Sequence, residues 1–194
     1  AASWRGKQFR LVDTGGLIPN STLIDMFQLL KDRDDGFRVT PGTALKNERN
    51  GDIVFVPPQD ANEILTLMTA LERFVNDDAL SDLDPMIKMA LIHHQFESIH
   101  PFPDGNGRIG RILNVLYLTR TGLLDIPILY LSRHITRNKG DYYRLLQAVR
   151  DDGVWEEWLI FMLEGVAQTA KTTLRLVEGI GELMHEAKHR MRSE

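Results

Sequence analysis

The residues best suited to chemistry lie close together between His100 and Arg111, in the stretch HPFPDGNGRIGR. This stretch combines an imidazole, a carboxylate, a Gly-Asn-Gly backbone and two arginines. His100 can act as a base, because an unperturbed imidazole has a pKa of about 6.5 and is mostly neutral at neutral pH. Asp104 offers a hard oxygen ligand, and Mg²⁺ is commonly held by one or two carboxylates together with substrate phosphates.

The glycines of this stretch indicate an anion site at the start of a helix. The backbone amides of Gly105 to Arg108 lie at the beginning of a helix predicted over 107–119, where unpaired N–H groups and the helix dipole favour negative charge. Two glycines let these amides approach a ligand closely. Arg108 and Arg111 share one helix face and can pair with phosphate oxygens. Base, metal ligand and polyphosphate cradle together indicate transfer of a phosphorus group to a nucleophile.

Each of these residues also has a plain structural interpretation as a turn, a cap or a solvated charge. For one residue alone we favour that interpretation, whereas the whole set favours a ligand site. His93 and His94 lie mid-helix without the i, i+4 spacing of a zinc helix, so ordinary helix positions are favoured over metal ligands. Tyr142 and Tyr143 fit packing in the core and stacking on a base equally well.

Composition sets the broad class of the protein. A chain of 194 residues suits one domain with a real core, and its net charge of −4 argues against broad nucleic-acid binding. No apolar run is long enough to span a bilayer, and the first residues lack the apolar segment of a signal peptide. The chain has no cysteine, which excludes disulfides and thiolate metal sites. We therefore expect a cytoplasmic domain that binds neither nucleic acid nor membrane.

The remaining pattern predicts an all-α domain with one small β-hairpin. The predicted hairpin has arms at Thr43–Lys46 and Ile53–Val56, with a tight turn at Asn50-Gly51. Residues 32–42 are predicted to be a loop. In the last helix Trp155, Trp158, Phe161 and Met162 are predicted to pack on the core, and the polar end beyond Gly181 to fray or lead to a further domain. Apolar spacing and caps predict helices at 4–12, from Asn20-Ser21 to about 31, from Asp60 to about 75, at 85–99, at 107–119, at 139–149 and from 154 onward. A short element of unassigned type is predicted at 129–134.

The stretch from His100 to Arg111 resembles the signature of Fic domain proteins, His-Pro-Phe-x-Asp-Gly-Asn-Gly-Arg-x-x-Arg, at every fixed position. The segments LIHHQFESIHPF before it and LYLSRHITRNKGDYYRLL after it are also similar to the family, so the resemblance covers about residues 20 to 170. It looks most like bacterial Fic proteins of the adenylyltransferase type. The resemblance implies transfer of AMP from ATP to a Ser, Thr or Tyr hydroxyl of a protein, with release of pyrophosphate.

The resemblance also implies a role for each matching residue. His100 would be the general base, and Asp104 would hold Mg²⁺ between the α- and β-phosphates. Gly105, Asn106 and Gly107 would form the anion hole, to which Asn106 would add a side-chain donor. Arg108 would bind the β-phosphate and Arg111 the γ-phosphate. Phe102 would anchor the loop in the core.

Two further regions take roles from the same resemblance. The hairpin residues Leu45, Lys46, Val54 and Phe55 would form a flap that pairs with a segment of the target protein. Tyr142 and Tyr143 would line the adenine pocket. The target could be another protein or the chain itself, and a homodimer is left open.

Gly107 separates branches of the family, because the Doc-type kinases carry Lys at this position. The resemblance therefore favours nucleotidyl over phosphoryl transfer, although some relatives with the full motif remove AMP. An inhibitory helix of pattern Ser/Thr-x-x-x-Glu-Gly/Asn is not found. The chain also begins without Met, so we expect a fragment of a longer protein that lacks an amino-terminal inhibitory helix and a carboxyl-terminal helix-turn-helix domain.

The leading hypothesis is thus an Mg²⁺-dependent protein adenylyltransferase. A second is a de-AMPylase or a transferase that uses another nucleotide. A third, from a different class, is a regulatory module that senses ATP without transfer.

Overall fold

The structure is a computed structural model that describes residues 2–4, 7–9, 17–47 and 50–193. Within these residues the chain is mostly helical, and its short strands form two antiparallel pairs. The predicted all-α class with a small flap hairpin is confirmed. The chain divides into two compact units, Ala1–Pro127 and Ile128–Glu194, which are described separately. The single domain over 1–194 stays a prediction.

The described part of the first unit contains a short 3-10 turn and the helices α1 (Asn20–Lys31), α2 (Ala61–Asn76), α3 (Pro85–Ile99) and α4 (Asn106–Arg120). Two of them begin at the predicted caps: Asp60 accepts from the second and third amides of α2, and Asp84 accepts from the second amide of α3. Nine of the fifteen residues of α3 are buried, and this helix packs against both α2 and α4. It is therefore the central helix of this unit, and it ends at Ile99, directly before His100.

The start of α1 differs from the prediction, which placed a cap at Asn20-Ser21. The residue before the helix is Pro19, and no side chain of α1 caps it. Instead the Asn20 N–H donates to Glu72 Oε2 on α2 at 3.0 Å, so a neighbouring helix supplies the acceptor. Local sequence reasoning fails here because the capping group lies 52 residues away.

The predicted hairpin forms, with shorter strands. Strand β3 (Leu45–Lys46) pairs antiparallel with β4 (Ile53–Phe55). The Asn47 N–H donates to the Asp52 carbonyl and the Gly51 N–H donates to the Asn47 carbonyl, both at 2.8 Å. Gly51 has φ of 77°, a left-handed conformation that glycine adopts readily. The Asn50-Gly51 pair therefore lies in the turn, as predicted.

The helix predicted over Trp4–Val12 is wrong for the part of it that the structure describes. Strand β1 (Ala2–Trp4) pairs antiparallel with β2 (Lys7–Phe9). A nine-residue helix with a glycine inside is a poor competitor, since the first turn is costly to nucleate and glycine weakens it further. The rest of the predicted helix lies outside the described residues.

The second unit contains α5 (Ser132–Arg137), α6 (Lys139–Asp152) and α7 (Trp155–Ser193). Trp158 and Met162 are fully buried and Phe161 is nearly so, as predicted. Trp155 is 38% exposed, which contradicts the prediction that it packs on the core. It is the first residue of α7 and lies one turn before the buried row, so the packed face does not reach it.

Helix α7 continues past Gly181 instead of fraying. Its second half exposes a series of apolar side chains, among them Leu176, Val177, Ile180, Leu183, Met184 and Met191. Among the described residues, no helix combines the length and the apolar character needed to cross a bilayer.

Candidate active site

His100 occupies the position directly after α3 and adopts a left-handed backbone conformation with φ of 49° and ψ of 57°. Pro101 disfavours right-handed helix at the residue before it, which explains why α3 stops here. The His100 N–H donates to the Phe96 carbonyl at 3.0 Å, and its own carbonyl accepts from Arg38 Nε at 2.8 Å. A left-handed non-glycine residue costs about 1–2 kcal/mol, so these bonds hold a strained residue at the end of the helix.

Arg38 is a buried arginine in the segment predicted to be a plain loop. Its guanidinium donates to the carbonyls of Pro58, Ile99 and His100, and its backbone N–H donates to the Pro101 carbonyl at 2.8 Å. The Arg38 side chain thus bonds both to Pro58, which follows the flap, and to the end of α3. The sequence contains no local signal for this role, because its partners are distant along the chain.

Phe102 anchors the loop in the core, as predicted. It is fully buried and stacks on Phe27 of α1, with ring centroids 4.5 Å apart and an interplanar angle of 11°. Phe37 and Phe96 complete the aromatic cluster at centroid distances of 5.3 and 6.3 Å. Stacked and tilted aromatic pairs add to the free energy gained from burial. The cluster fixes the residue two positions after His100.

The Asn106 side chain closes the loop on itself. Its Oδ1 accepts from the Phe102 N–H at 2.9 Å, and its Nδ2 donates to the Phe102 carbonyl at 2.8 Å. Asn106 is 1% exposed, so its carboxamide holds the loop backbone from the inside. Its predicted contribution of a side-chain donor to an anion hole stays a prediction.

The sequence predicts an anion cradle at the start of α4, and the backbone there has two features that bear on it. Gly105 has φ of 82°, a left-handed conformation that glycine adopts without steric cost, and it is the residue that opens the helix. The N–H groups of Arg108 and Ile109 both donate to the Gly105 carbonyl. The amides of Asn106 and Gly107 come before these bonds, at the helix end where N–H groups have no helical acceptor. They are the donors that an anion can use.

Gly107 and Gly110 provide room for charged side chains beside this helix. A Cβ at Gly107 would lie 3.2 Å from Arg111 Nη1 and 3.7 Å from Glu97 Oε1. A Cβ at Gly110 would lie 3.1 Å from the same Glu97 oxygen and 3.3 Å from His93 Cε1. The Arg111 guanidinium therefore folds back toward the start of α4, and a buried carboxylate from α3 lies on the same side.

His93 lies behind the cradle as a fully buried, neutral imidazole. Its pKa is lowered to about 4, chiefly by burial and to a smaller extent by the nearby Arg111 charge, while hydrogen bonds with the Gly110 backbone and Asn114 act in the opposite direction. Asn114 Nδ2 lies 3.0 Å from His93 Nδ1, so the two side chains form a hydrogen bond in the core. His93 thus joins α3 to α4 through uncharged hydrogen bonds.

This burial predicts a pH dependence of stability. The folded pKa of about 4 lies below the ordinary value of 6.5 for histidine, so the unfolded chain takes up the proton first. The contribution of neutral His93 is complete above pH 6.5 and is lost as the pH falls toward 4, at up to about 1.4 kcal/mol per pH unit. Denaturant unfolding between pH 4.5 and 7.5 measures this slope, and His93→Gln is expected to flatten it. Equal slopes in the two proteins would contradict the assignment.

Asp104 is exposed at the mouth of the cradle and forms an ion pair with Lys31, the last residue of α1. A hydrogen bond from Lys31 lowers the pKa of the Asp104 carboxyl, with smaller contributions from the Gly105 N–H and the Arg108 charge. The carboxylate is therefore ionised at neutral pH. The pairing with Lys31 was not foreseen, because a lysine in the last turn of a helix commonly serves the helix dipole.

The other predicted site residues lie in two places. The flap residues Leu45, Lys46, Val54 and Phe55 belong to β3 and β4 of the first unit, where Val54 is 44% exposed. Tyr142 and Tyr143 belong to α6 of the second unit, where Tyr142 is buried against Trp158 and Phe161 and Tyr143 is exposed. Both the target-binding and the adenine-binding roles stay predictions.

The first unit from α1 almost to the end of α4 matches a known family model. This model is described as the Fic/DOC family, and the match covers residues 20–118, about half of the chain. The chain belongs to the Fic/DOC family. The predicted resemblance is therefore confirmed at the level of the family.

Relatives of this Fic/DOC chain are named as protein adenylyltransferases. Protein adenylyltransferase Fic of Drosophila erecta is 31% identical over 97 residues, which are 50% of this chain and 18% of that protein. A probable protein adenylyltransferase of Aquifex aeolicus is 44% identical over 72 residues, which are 37% of this chain and 20% of that protein. The chain thus spans about a fifth of the length of the curated relatives it matches.

Solved Fic structures share the fold. A Fic family protein from Desulfovibrio desulfuricans aligns with a TM-score of 0.69 at 24% identity, over 81% of this chain and 47% of that one. Fic-1 from C. elegans aligns with a TM-score of 0.61 at 19% identity, over 90% of this chain and 47% of that one.

Proposed function

We propose that this Fic/DOC chain is a protein adenylyltransferase, which transfers AMP from ATP to a Ser, Thr or Tyr hydroxyl of a protein and releases pyrophosphate. The observation that carries the proposal is the cradle at the start of α4. There α4 begins at the left-handed Gly105 with no side-chain cap, Arg111 folds back beside Gly107, and His100 lies one loop away. The family and the names of the relatives support the same activity.

In this proposal His100 accepts the proton of the target hydroxyl. The hydroxyl oxygen then forms a bond to the α-phosphorus while the bond from that phosphorus to the bridging oxygen breaks, and pyrophosphate carries away the electron pair. The amides of Asn106 and Gly107 bind the charge that develops on the phosphate oxygens. Arg108 binds the β-phosphate and Arg111 the γ-phosphate, which orients the α-phosphorus toward His100.

The residues at the mouth of the cradle fit a magnesium ion. Asp104 is ionised and its side chain is 70% exposed, so it can bind a cation. Among the described residues no group of three His, Cys, Asp or Glu could hold a metal ion. One carboxylate with phosphate oxygens and water is the ligand set that Mg²⁺ commonly uses. When bound, the ion would neutralise charge on the phosphates, and Asp104 would be its ligand from this chain.

The flap is proposed to bind the target through its backbone. A two-stranded pair has edges with N–H and C=O groups that an extended peptide can bond. The outward residues Ile53, Val54 and Val56 are 60%, 44% and 55% exposed, so the second arm presents apolar side chains to such a peptide. Because backbone bonds carry little side-chain information, this arrangement fits several target sequences.

ATP labelled at either the α- or the γ-phosphate tests the activity. We expect the α-label to become attached to protein in the presence of Mg²⁺, and the γ-label to remain with pyrophosphate. Attachment of the γ-label would show phosphoryl transfer instead. Binding of ATP without attachment of either label would favour a nucleotide-sensing module, and loss of AMP from a pre-modified protein would favour the reverse reaction.

The location of the protein and the identity of its substrate are also part of this proposal. We expect the chain to act in the cytoplasm on a protein substrate, either another protein or the chain itself. Modification of the chain by its own activity can be read as an increase in its intact mass after incubation with ATP.

A further inference from the structure

Lys31 reaches the candidate active site from another helix. It ends α1, and its Nζ forms an ion pair with Asp104 Oδ2, 73 residues away in the sequence. The Lys31 side chain is 18% exposed, whereas that of Asp104 is 70% exposed. A lysine side chain is rarely this buried without a reason, since its ammonium is strongly hydrated. The contact therefore places a positive charge beside Asp104, at the entrance to the proposed cradle.

The stem of Lys31 lies against the glycine that opens α4. A Cβ at Gly105 would lie 3.1 Å from Lys31 Cε and 4.0 Å from Arg108 Nη2. Lys31 and Arg108 thus both lie beside Gly105. An anion bound to the first amides of α4 would have a cation from α1 as well as the two arginines of α4 within its surroundings.

The ion pair and a metal ion compete for the same carboxylate. Asp104 is the proposed magnesium ligand, and an ammonium on one of its oxygens repels a second cation there. The lysine side chain is a flexible four-carbon stem, so the ammonium can move to a nearby acceptor while the first carbons of the stem stay packed. Phosphate oxygens at the cradle are such acceptors.

We infer that Lys31 is a third cationic contact for the phosphates of the nucleotide. It pairs with Asp104 before the nucleotide binds and transfers to phosphate oxygens when metal and nucleotide arrive. This inference rests on the proposed function, because it requires a nucleotide polyphosphate in the cradle. It gives α1 a direct part in nucleotide binding, beyond its packing on Phe102.

A structural alternative assigns Lys31 to the dipole of α1, since a basic residue in the last turn stabilises a helix. That role predicts a lower melting temperature when the charge is removed and no difference between nucleotides. A phosphate contact predicts a selective loss for ATP. The two are separated by comparing ATP with AMP, because both share the adenosine and the α-phosphate.

Calorimetric titration with ATP and with AMP in the presence of Mg²⁺ tests the inference by binding and not by turnover. Lys31→Met is expected to raise the Kd for ATP about tenfold and the Kd for AMP less than about twofold. Lys31→Arg is expected to keep most of the ATP affinity. Lys171→Met removes the same charge from an exposed position of α7 and is the matched control, with both affinities unchanged.

The results distinguish a failure of the inference from a failure of the proposed function. If the unsubstituted chain binds ATP and Lys31→Met binds it equally well, or loses ATP and AMP in equal measure, the inference is overturned and the proposed function stands. If the unsubstituted chain fails to bind ATP, the proposed function falls. Thermal unfolding confirms that each variant is folded, and Lys31→Gln replaces Lys31→Met if the latter does not fold.

Discussion

Replacement of His100 with alanine is expected to lower the rate of AMP transfer by about 10²–10⁴-fold and to leave the Kd for ATP within about twofold. His100 is proposed to remove a proton and to make no contact with the triphosphate. The measurement is attachment of the α-label to protein, with ATP titrated separately against the same samples. Loss of ATP affinity with turnover retained would refute the role of general base.

A second variant separates the imidazole from the backbone that carries it. His100 has a positive φ, and alanine tolerates that conformation poorly. Asparagine is found in left-handed positions more readily and offers no base of comparable pKa. His100→Asn is therefore expected to show the same loss of rate as His100→Ala, with a higher melting temperature. Full activity in His100→Asn would show that the backbone, not the imidazole, matters at this position.

The largest expected loss of stability follows Phe102→Ala, with a decrease of about 3–5 kcal/mol in the free energy of unfolding. The ring is fully buried and stacked on Phe27, so the change leaves a cavity that joins α1, α3 and the loop after His100. Denaturant unfolding monitored by circular dichroism measures the loss.

Leucine at position 102 provides the matched control. Phe102→Leu keeps most of the apolar volume and loses the aromatic contacts, which are worth about 0.5–1.5 kcal/mol for each pair. It is expected to cost clearly less than Phe102→Ala. If alanine costs less than about 1 kcal/mol, the cluster does not pack as described. If alanine and leucine cost the same, the loss comes from the aromatic contacts and not from the cavity.

The parts of the fold that local signals encode could be predicted from the sequence. Asp60 and Asp84 cap α2 and α3 as expected, because a capping carboxylate and its amides lie within three residues of each other. The loop from His100 to Arg111 was also accessible, since its glycines, its asparagine and its charges all lie within a single stretch. In both cases the interacting groups are near neighbours in the chain.

The parts that depend on distant contacts could not be predicted. Arg38 bonds to carbonyls 20 and 62 residues away, and Lys31 meets Asp104 across 73 residues. Nothing in the residues around either side chain indicates such a partner. The start of α1 failed for the same reason, because Glu72 supplies its acceptor from another helix.

One interpretation of the glycines was incomplete as well. From the sequence, Gly105 and Gly107 are interpreted as positions where a ligand comes close to the backbone. In the structure Gly105 also allows a left-handed turn, and Gly107 leaves space for the Arg111 guanidinium. The absence of a side chain at 107 thus leaves space for the protein's own arginine, which lies one turn further along the same helix.

The bonds of Arg38 have a consequence for how a target would be aligned. Its guanidinium holds the carbonyl of Pro58, three residues after β4, and the carbonyl of His100 at the same time. A peptide bound along the flap would therefore lie at a fixed offset from the His100 imidazole, because Arg38 holds both segments. The tip of the hairpin could vary in sequence or bend without changing that offset. Arg38 would thus fix the distance between the flap, where the target is held, and His100, where its hydroxyl reacts.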